Sequence, residues 1–136
     1  MSKTILCATD GTPHAEKAVG YAAELARAFE AKLVLLAVQP LNMGRGGPVP
    51  VWDADKMAKA LAAGASHAKQ IGVVTVETTT AKGPDVVGAI LDIARDHHAE
   101  QIVVGSGSKN MVQRSLLGSV SSGIVHRADC PVTVVH

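Results

Sequence analysis

The chain is poor in aromatic residues and in cysteine. Its 136 residues include one Trp, one Tyr and one Phe, while hydrophobic residues of all kinds make up 47% of the sequence. The core must therefore be built from Ala, Val, Ile and Leu, a mixture that suits helices packed closely on a parallel sheet. Cys7 and Cys130 are too few for a disulfide framework. Because each lies in or beside an apolar run, we expect two buried or half-buried thiols.

Long apolar runs and an excess of charge are also missing. The longest apolar stretches, such as residues 33–38, are far too short to span a bilayer, which argues against membrane insertion. Lys and Arg together number 13 against 12 Asp and Glu, so no basic surface for nucleic acid is expected. The first residues lead into a strand-like run rather than a signal peptide, which predicts a cytoplasmic protein. The length predicts a single domain over residues 1–136.

The first third of the chain predicts a strand, a helix and a second strand. Residues 3–9 and 32–38 are nearly continuous apolar runs, the pattern of strands buried on both faces. Between them, Thr12 and Pro13 form a typical helix start, with a hydroxyl cap followed by proline at the first helical position. Residues 39–52 contain three prolines and three glycines. We interpret that segment as a long loop.

Alternation of helices and strands continues to the end of the chain. A second helix is predicted from a cap at Asp53 to about Gly72, followed by a sheet-edge strand at residues 73–79. A third helix precedes a strand at residues 101–104, and a short fourth helix precedes a last strand at residues 131–135. This alternation predicts a doubly wound α/β fold with a five-stranded parallel sheet in the flavodoxin-like order 3-2-1-4-5.

Two polar, glycine-bearing loops should meet in such a sheet. Strands one and four are neighbours at the switch point of this order, and ligands of doubly wound folds bind beyond the carboxyl ends of the strands there. Thr9, Asp10 and Gly11 follow the first strand, while residues 105–108 follow the fourth. We therefore expect the binding site at this crevice.

The segment 105–119 has the composition of a phosphate-binding loop. It leads from a buried strand to a helix start, where unpaired N–H groups and the helix dipole favour an anion. Glycines allow close approach of the backbone, and Lys109 and Arg114 add positive charge. A Gly/Ser connection in any α/β protein looks similar, however, and no Gly-Lys-Ser/Thr follows as in a P-loop. From composition alone, phosphate binding stays open.

The run VVGSGSKN, followed by RSLLGSVSSGIVHRADCPVTVV, is similar to the C-terminal signature of the universal stress protein family. Nucleotide-binding members of that family carry Gly-x-x-Gly, nine residues, and then Gly-Ser or Gly-Thr. Gly105, the nine residues 109–117 and Gly118-Ser119 match this spacing. The segments ILCATDGTPHAEKAVGYAAELA and KLVLLAV resemble the first strand, Asp loop, first helix and second strand of the family. The resemblance thus covers the whole chain and implies a fold similar to the adenine nucleotide alpha hydrolases.

One position departs from the motif. Ser108 stands where the family has its second glycine, with Gly107 one residue earlier. A serine would be strained there if the position needs a positive φ. Two interpretations follow from the resemblance. The chain either binds ATP or a related adenine nucleotide and acts in the stress response through nucleotide-dependent partner contacts, or it is a nucleotide-free dimer that acts through protein contacts.

The resemblance also implies the binding residues and the assembly. Asp10 and Val38 are expected at the adenine and ribose end, and Asp10 is a candidate Mg²⁺ ligand as well as a candidate Asx cap of the turn. The predicted nucleotide-binding residues are Thr9, Asp10, Val38, Gly105, Gly107, Ser108, Lys109, Arg114, Gly118, Ser119, Val120 and Ser121. A homodimer through the last strand is expected.

No residues predict dedicated catalysis. No nucleophile and base are recognisable as a pair, so an efficient enzyme has no support in the sequence, although a slow ATPase stays open as a third interpretation. The scattered histidines have no Cys or carboxylate at metal-ligand spacing. They are expected at the surface, and they are His14, His67, His126 and His136.

Overall fold

The computed structural model describes residues 3–44, 46–50, 54–107 and 118–136. Strands and helices alternate along these residues, with one additional short strand. The elements are β1 (Thr4–Ala8), α1 (Pro13–Phe29), β2 (Lys32–Gly44), β3 (Gly47–Pro50), α2 (Ala54–Ile71), β4 (Val76–Gly83), α3 (Val86–Asp96), β5 (Gln101–Gly105), α4 (Ser119–Arg127) and β6 (Val132–Val135).

Five strands form the parallel sheet that the sequence predicts. β1 lies at the centre and pairs with β2 on one side and β5 on the other, so that Cys7 is in register with both Leu35 and Val103. β4 pairs with β2, and β6 pairs with β5. The five strands therefore lie in the order β4-β2-β1-β5-β6, which confirms the predicted 3-2-1-4-5 topology. β1 and β5 meet at its switch point.

The prediction of a loop at residues 39–52 is wrong for most of that segment. β2 continues to Gly44, and β3 pairs with it in an antiparallel hairpin, with Leu41 opposite Pro50. Proline suits an edge strand such as β3, because its fixed φ is compatible with extended backbone and its missing N–H is not needed on the unpaired side. Residues 45 and 51–53, including the predicted cap Asp53, lie outside the described residues.

The edge strand β4 begins and ends later in the sequence than predicted, because β2 is long. β4 spans Val76–Gly83 rather than residues 73–79, since the extension of β2 supplies partners as far as Gly83, opposite Pro40. Val73 instead is buried in the core, while Val74 is 94% exposed. β4 pairs with β2 alone among the described strands, as expected for the edge of a sheet.

Helices cover both faces of the sheet. α1 and α2 pack on the face that carries Cys7 and Leu35, while α3 and α4 pack on the face that carries Leu6 and Ile102. Aliphatic side chains fill both layers as predicted, and the described aromatic residues, Tyr21 and Phe29, are 44% and 52% exposed. Four alanines in α1 are completely buried, which lets this helix lie close to the sheet.

Both cysteines are free thiols, as predicted. Cys7 is buried in the centre of the sheet, and its burial raises the pKa of the thiol to about 12. Cys130 is half-buried. No helix in the described part of the chain is long and apolar enough to cross a bilayer.

Candidate functional site

A cleft of about 530 Å³ opens at the switch point, beyond the carboxyl ends of β1 and β5. This volume lies in the range of sites for small molecules. Nine of the twelve predicted binding residues line the cleft, and they are Thr9, Asp10, Val38, Gly105, Gly107, Gly118, Ser119, Val120 and Ser121. The other three, Ser108, Lys109 and Arg114, lie outside the described residues. The topology thus brings together residues that are more than 100 positions apart in the sequence.

The loop after β1 is fixed by its own side chains. Oδ1 of Asp10 accepts hydrogen bonds from the backbone N–H of Thr12 at 3.0 Å and from its hydroxyl at 2.6 Å. Thr9 Oγ1 accepts from the N–H of Gly11, whose φ of 79° is in the left-handed region. Asp10 therefore has the Asx-turn role that the sequence analysis gave as one of its alternatives. Its second carboxylate oxygen, Oδ2, has no hydrogen-bond partner among the described residues.

The start of α1 forms the next part of the wall. Thr12 caps the helix by accepting a hydrogen bond from the N–H of Ala15 at 3.3 Å, and Pro13 follows as the first helical residue, which confirms the predicted helix start. Thr12, His14 and Ala15 line the cleft. His14 is half-buried there rather than at the open surface.

The N-terminus of α4 provides the hydrogen-bond donors of the cleft. Gly118 is its N-cap residue, and no side chain caps the helix. Ser122 is the first residue whose N–H donates within the helix, to Gly118 O at 2.9 Å. The N–H groups of Ser119, Val120 and Ser121 therefore have no partner among the described residues. Together with the helix dipole, these three donors form a favourable position for an anion.

Two glycines, Gly107 and Gly118, allow close contact between the end of the β5 loop and the start of α4. The N–H of Gly118 donates to Ser106 O at 2.7 Å. A Cβ atom on Gly118 would lie 3.1 Å from that oxygen and 3.2 Å from the Cα of Gly107. Gly107 itself has a φ of 73°, a conformation that favours glycine. Among the described glycines of this loop, Gly107 is thus the one with a positive φ, and it comes directly before Ser108 in the sequence.

Ser121 connects α4 to the sheet. Its side chain is only 3% exposed, and its hydroxyl donates a hydrogen bond to Gly105 O. Because that proton is already committed to a backbone carbonyl, the group that Ser121 can offer a ligand is its backbone N–H. The hydrogen bond holds the first turn of α4 against the end of β5.

Apolar side chains form a further wall of the same cleft, and the sequence analysis identified only part of this apolar wall. Val38 lies in the middle of β2 and Val104 near the end of β5, while Val86 and Ile90 lie one turn apart in α3. Such a surface suits one face of a flat, weakly polar ring. The helical spacing of the two α3 residues was visible in the sequence, but it also fits ordinary core positions. The remaining lining residues that the sequence analysis missed are Ala8, Thr12, His14, Ala15 and Pro40.

A second cleft, of about 580 Å³, lies between α1 and α2 and shares Thr9 and Asp10 with the first. Its charged lining residues are two acids, Asp10 and Glu16, and two bases, Lys56 and Lys59, so the cleft does not favour one sign of charge. The described residues contain no group of three or more His, Cys, Asp or Glu side chains that could hold a metal ion. The combination of free N–H donors and an apolar wall therefore singles out the first cleft.

Comparisons with known proteins agree with this geometry. The sequence pattern of the universal stress protein family matches residues 1–136. A putative universal stress protein of Staphylococcus saprophyticus is 32% identical over 140 residues, which cover 98% of this chain and 83% of that protein. A universal stress protein of Mycobacterium tuberculosis is 29% identical, and the match covers 97% of this chain but 47% of that longer protein.

Solved structures show the same fold. A universal stress protein in complex with cAMP has 26% identity and a TM-score of 0.78, with 98% of this chain and 96% of that chain covered. The universal stress protein from Archaeoglobus fulgidus superposes over 100% of both chains with a TM-score of 0.80 and 21% identity. A structure from the same organism in complex with dAMP has a TM-score of 0.76 and 20% identity, over 100% of this chain and 98% of that chain.

Proposed function

Since the chain belongs to the universal stress protein family, we propose that it binds ATP or a related adenine nucleotide in the cleft between β1 and β5. The observation that carries the proposal is that three N–H groups at the start of α4, which have no partner among the described residues, lie in the same cleft as an apolar wall. A phosphate on the N–H groups and an adenine ring against the wall would use both ends of the cleft. The relative that was solved with cAMP, at 26% identity, supports this class of ligand.

We propose that the bound nucleotide controls contacts with protein partners in a cytoplasmic stress response. Efficient turnover is not part of this proposal. Among the described residues that line the cleft, Asp10 has the carboxylate and His14 the imidazole, the two groups that could act as a catalytic base. The Thr12 hydroxyl donates a hydrogen bond to Asp10, and no other described lining hydroxyl is hydrogen-bonded to Asp10 or His14. Slow hydrolysis would be detected as phosphate release that is absent in a variant that does not bind nucleotide.

This site would bind Mg²⁺ only together with the phosphates of a nucleotide. Mg²⁺ usually keeps several waters and is bound by one or two carboxylates together with phosphate oxygens. Asp10 would supply the protein ligand through Oδ2, because Oδ1 already accepts two hydrogen bonds from Thr12. The described residues provide no complete set of ligands for a metal on its own.

A homodimer through β6 is the second part of the proposal. β6 pairs with β5 on one side, and its other edge has no strand partner among the described residues. Its four residues, Val132–Val135, are all half-buried and mostly apolar. Pairing with a second copy would cover this edge. The nucleotide-free alternative shares this dimer, so oligomeric state alone does not distinguish the two functions.

Ligand-dependent stability distinguishes them. At a concentration about one hundred times the dissociation constant, a ligand stabilises a protein by about 2.7 kcal/mol, which corresponds to a rise in Tm of roughly 8 °C for a domain of this size. We expect this shift with ATP or AMP in the presence of Mg²⁺, and a much smaller one with GTP. Nucleotide released from the denatured purified protein should be adenine nucleotide. Absence of both signals would favour the nucleotide-free dimer.

A further inference from the structure

His14 occupies a distinctive position in the cleft. It is the second residue of α1, it is half-buried, and it lines the same cavity as the first turn of α4. Among the described lining residues, Asp10 has the carboxylate and His14 the imidazole. His14 is thus the described lining residue whose side chain carries an N–H donor for an anion.

The backbone holds His14 beside the predicted phosphate position. The start of α1 packs directly on the end of β5, so that a Cβ atom on Gly105 would lie 2.9 Å from the carbonyl oxygen of His14. From the other side, Ser121 of α4 donates its hydroxyl hydrogen bond to Gly105 O. The first turns of α1 and α4 therefore flank the same strand end. An anion bound to the free N–H groups of α4 would lie in the cavity that His14 borders.

Few charged groups surround this position. Asp10, Glu16 and Lys17 are the charged residues nearest in the sequence, and one oxygen of Asp10 is already held by Thr12. The described residues of β5 and of the first turn of α4 carry no charge, while β6 is followed by His136. No carboxylate of β5 or of the first turn of α4 among these residues therefore competes with a phosphate for the imidazole N–H group.

We propose that His14 is an additional phosphate-binding residue, whose imidazole N–H group donates a hydrogen bond to the phosphate of a bound adenine nucleotide. This inference rests on the proposed function, because it assigns a role to His14 within the same site. Hydrogen bonds to a charged group such as a phosphate are among the stronger ones in proteins.

The test compares wild type with His14→Ala, using AMP and adenosine. Titration calorimetry gives each affinity. We expect the variant to bind AMP about tenfold more weakly than wild type, because it loses a hydrogen bond to a charged group. For adenosine, which has no phosphate, the ratio of the two affinities should stay near one.

Two further variants complete the design. His126→Ala, in the last turn of α4 and outside the cleft, is the matched control and should behave as wild type. His14→Lys also supplies N–H donors and should bind AMP more tightly than His14→Ala. Equal affinities of wild type and His14→Ala for AMP, or an equal loss for adenosine, would overturn the role of His14 while leaving nucleotide binding intact. If neither protein binds AMP, the proposed function itself fails.

Discussion

The two ends of the cleft are built from different parts of the chain. At the polar end the ligand-facing groups are backbone N–H groups of α4, held in place by close contacts of Gly118 with Ser106 and Gly107. At the apolar end they are the side chains of residues such as Val86 and Ile90. Backbone donors depend on the path of the chain, whereas an apolar wall depends on side-chain size and polarity. Substitutions at the two ends should therefore affect different parts of a nucleotide.

Gly118→Val should have the largest effect. A side chain at this position meets Ser106 O at 3.1 Å and the Cα of Gly107 at 3.2 Å, so the start of α4 has to move away from the loop. We expect the affinity for AMP to fall by about a hundredfold or more, equivalent to about 2.7 kcal/mol, while that for adenosine falls by at most about threefold. Calorimetric titration with the two ligands measures this difference.

Gly46→Val is the control for that variant, because a Cβ atom on Gly46 has no atom within 4 Å. Circular dichroism should show that both variants are folded. A folded Gly118→Val protein that binds AMP as tightly as wild type would mean that the phosphate does not lie at the start of α4.

Val86→Asp should have the next largest effect, at the opposite end. The half-buried Val86 side chain lines the apolar wall, and a carboxylate there would have to lose water when an adenine ring approaches. We expect AMP and adenosine to bind about tenfold more weakly, by similar factors, because both contain the base. Val74→Asp is the matched control, since Val74 is 94% exposed. A loss confined to AMP would contradict this assignment of the two ends.

Ser121→Ala tests the connection between the polar end and the sheet. The substitution removes a buried hydroxyl and leaves Gly105 O without its donor, so the free energy of unfolding should fall by about 1–2 kcal/mol. With the first turn of α4 held less firmly, AMP should bind a few-fold more weakly and adenosine equally well. Urea denaturation and titration measure the two effects. Ser122→Ala, one residue along the same helix, should change neither; if it matches Ser121→Ala, the hydrogen bond is not the cause.

Asp10→Asn should have the smallest effect. Asparagine keeps an oxygen that can accept the bonds from Thr12, so the free energy of unfolding should change by less than about 0.5 kcal/mol. Mg²⁺ should increase the affinity for ATP, and loss of the Asp10 charge should make this increase about threefold smaller. Titrations with MgCl₂ and with EDTA measure this gain, and Asp55→Asn in α2 is the control. An unchanged gain would show that Asp10 does not bind the metal.

Much of this architecture was predictable from the sequence. The alternation of strands and helices is sufficient for the order of the parallel sheet, because only a few topologies satisfy it. That order in turn predicts which loops meet, and it correctly brings Asp10 and Gly105 into one cleft. The glycine-rich motif was recognisable because close backbone contacts restrict which residues can occupy such positions.

Other features of the fold and the cleft could not be recognised from a pattern in the sequence. The β2–β3 hairpin was missed because its prolines and glycines are typical of loops, although an edge strand accepts both. Val86 and Ile90 have the spacing of core residues, and nothing in that spacing shows that one side faces a cavity. A lone histidine such as His14 has no second ligand-binding residue at a characteristic spacing in the sequence. Only the packing of α1 on β5 places it in the cleft.

The exposed positions of Tyr21 and Phe29 have a consequence for spectroscopy. Both rings lie on α1 and its end, where Lys3 Nζ is 5.5 Å from the centre of the Phe29 ring. Ultraviolet absorbance and near-ultraviolet circular dichroism of these rings will therefore follow the surroundings of one helix. The interior, filled by aliphatic side chains in the described part of the chain, contributes no such signal. Methyl resonances of Ala, Val, Leu and Ile are the direct probes of whether the two layers stay packed when a ligand binds.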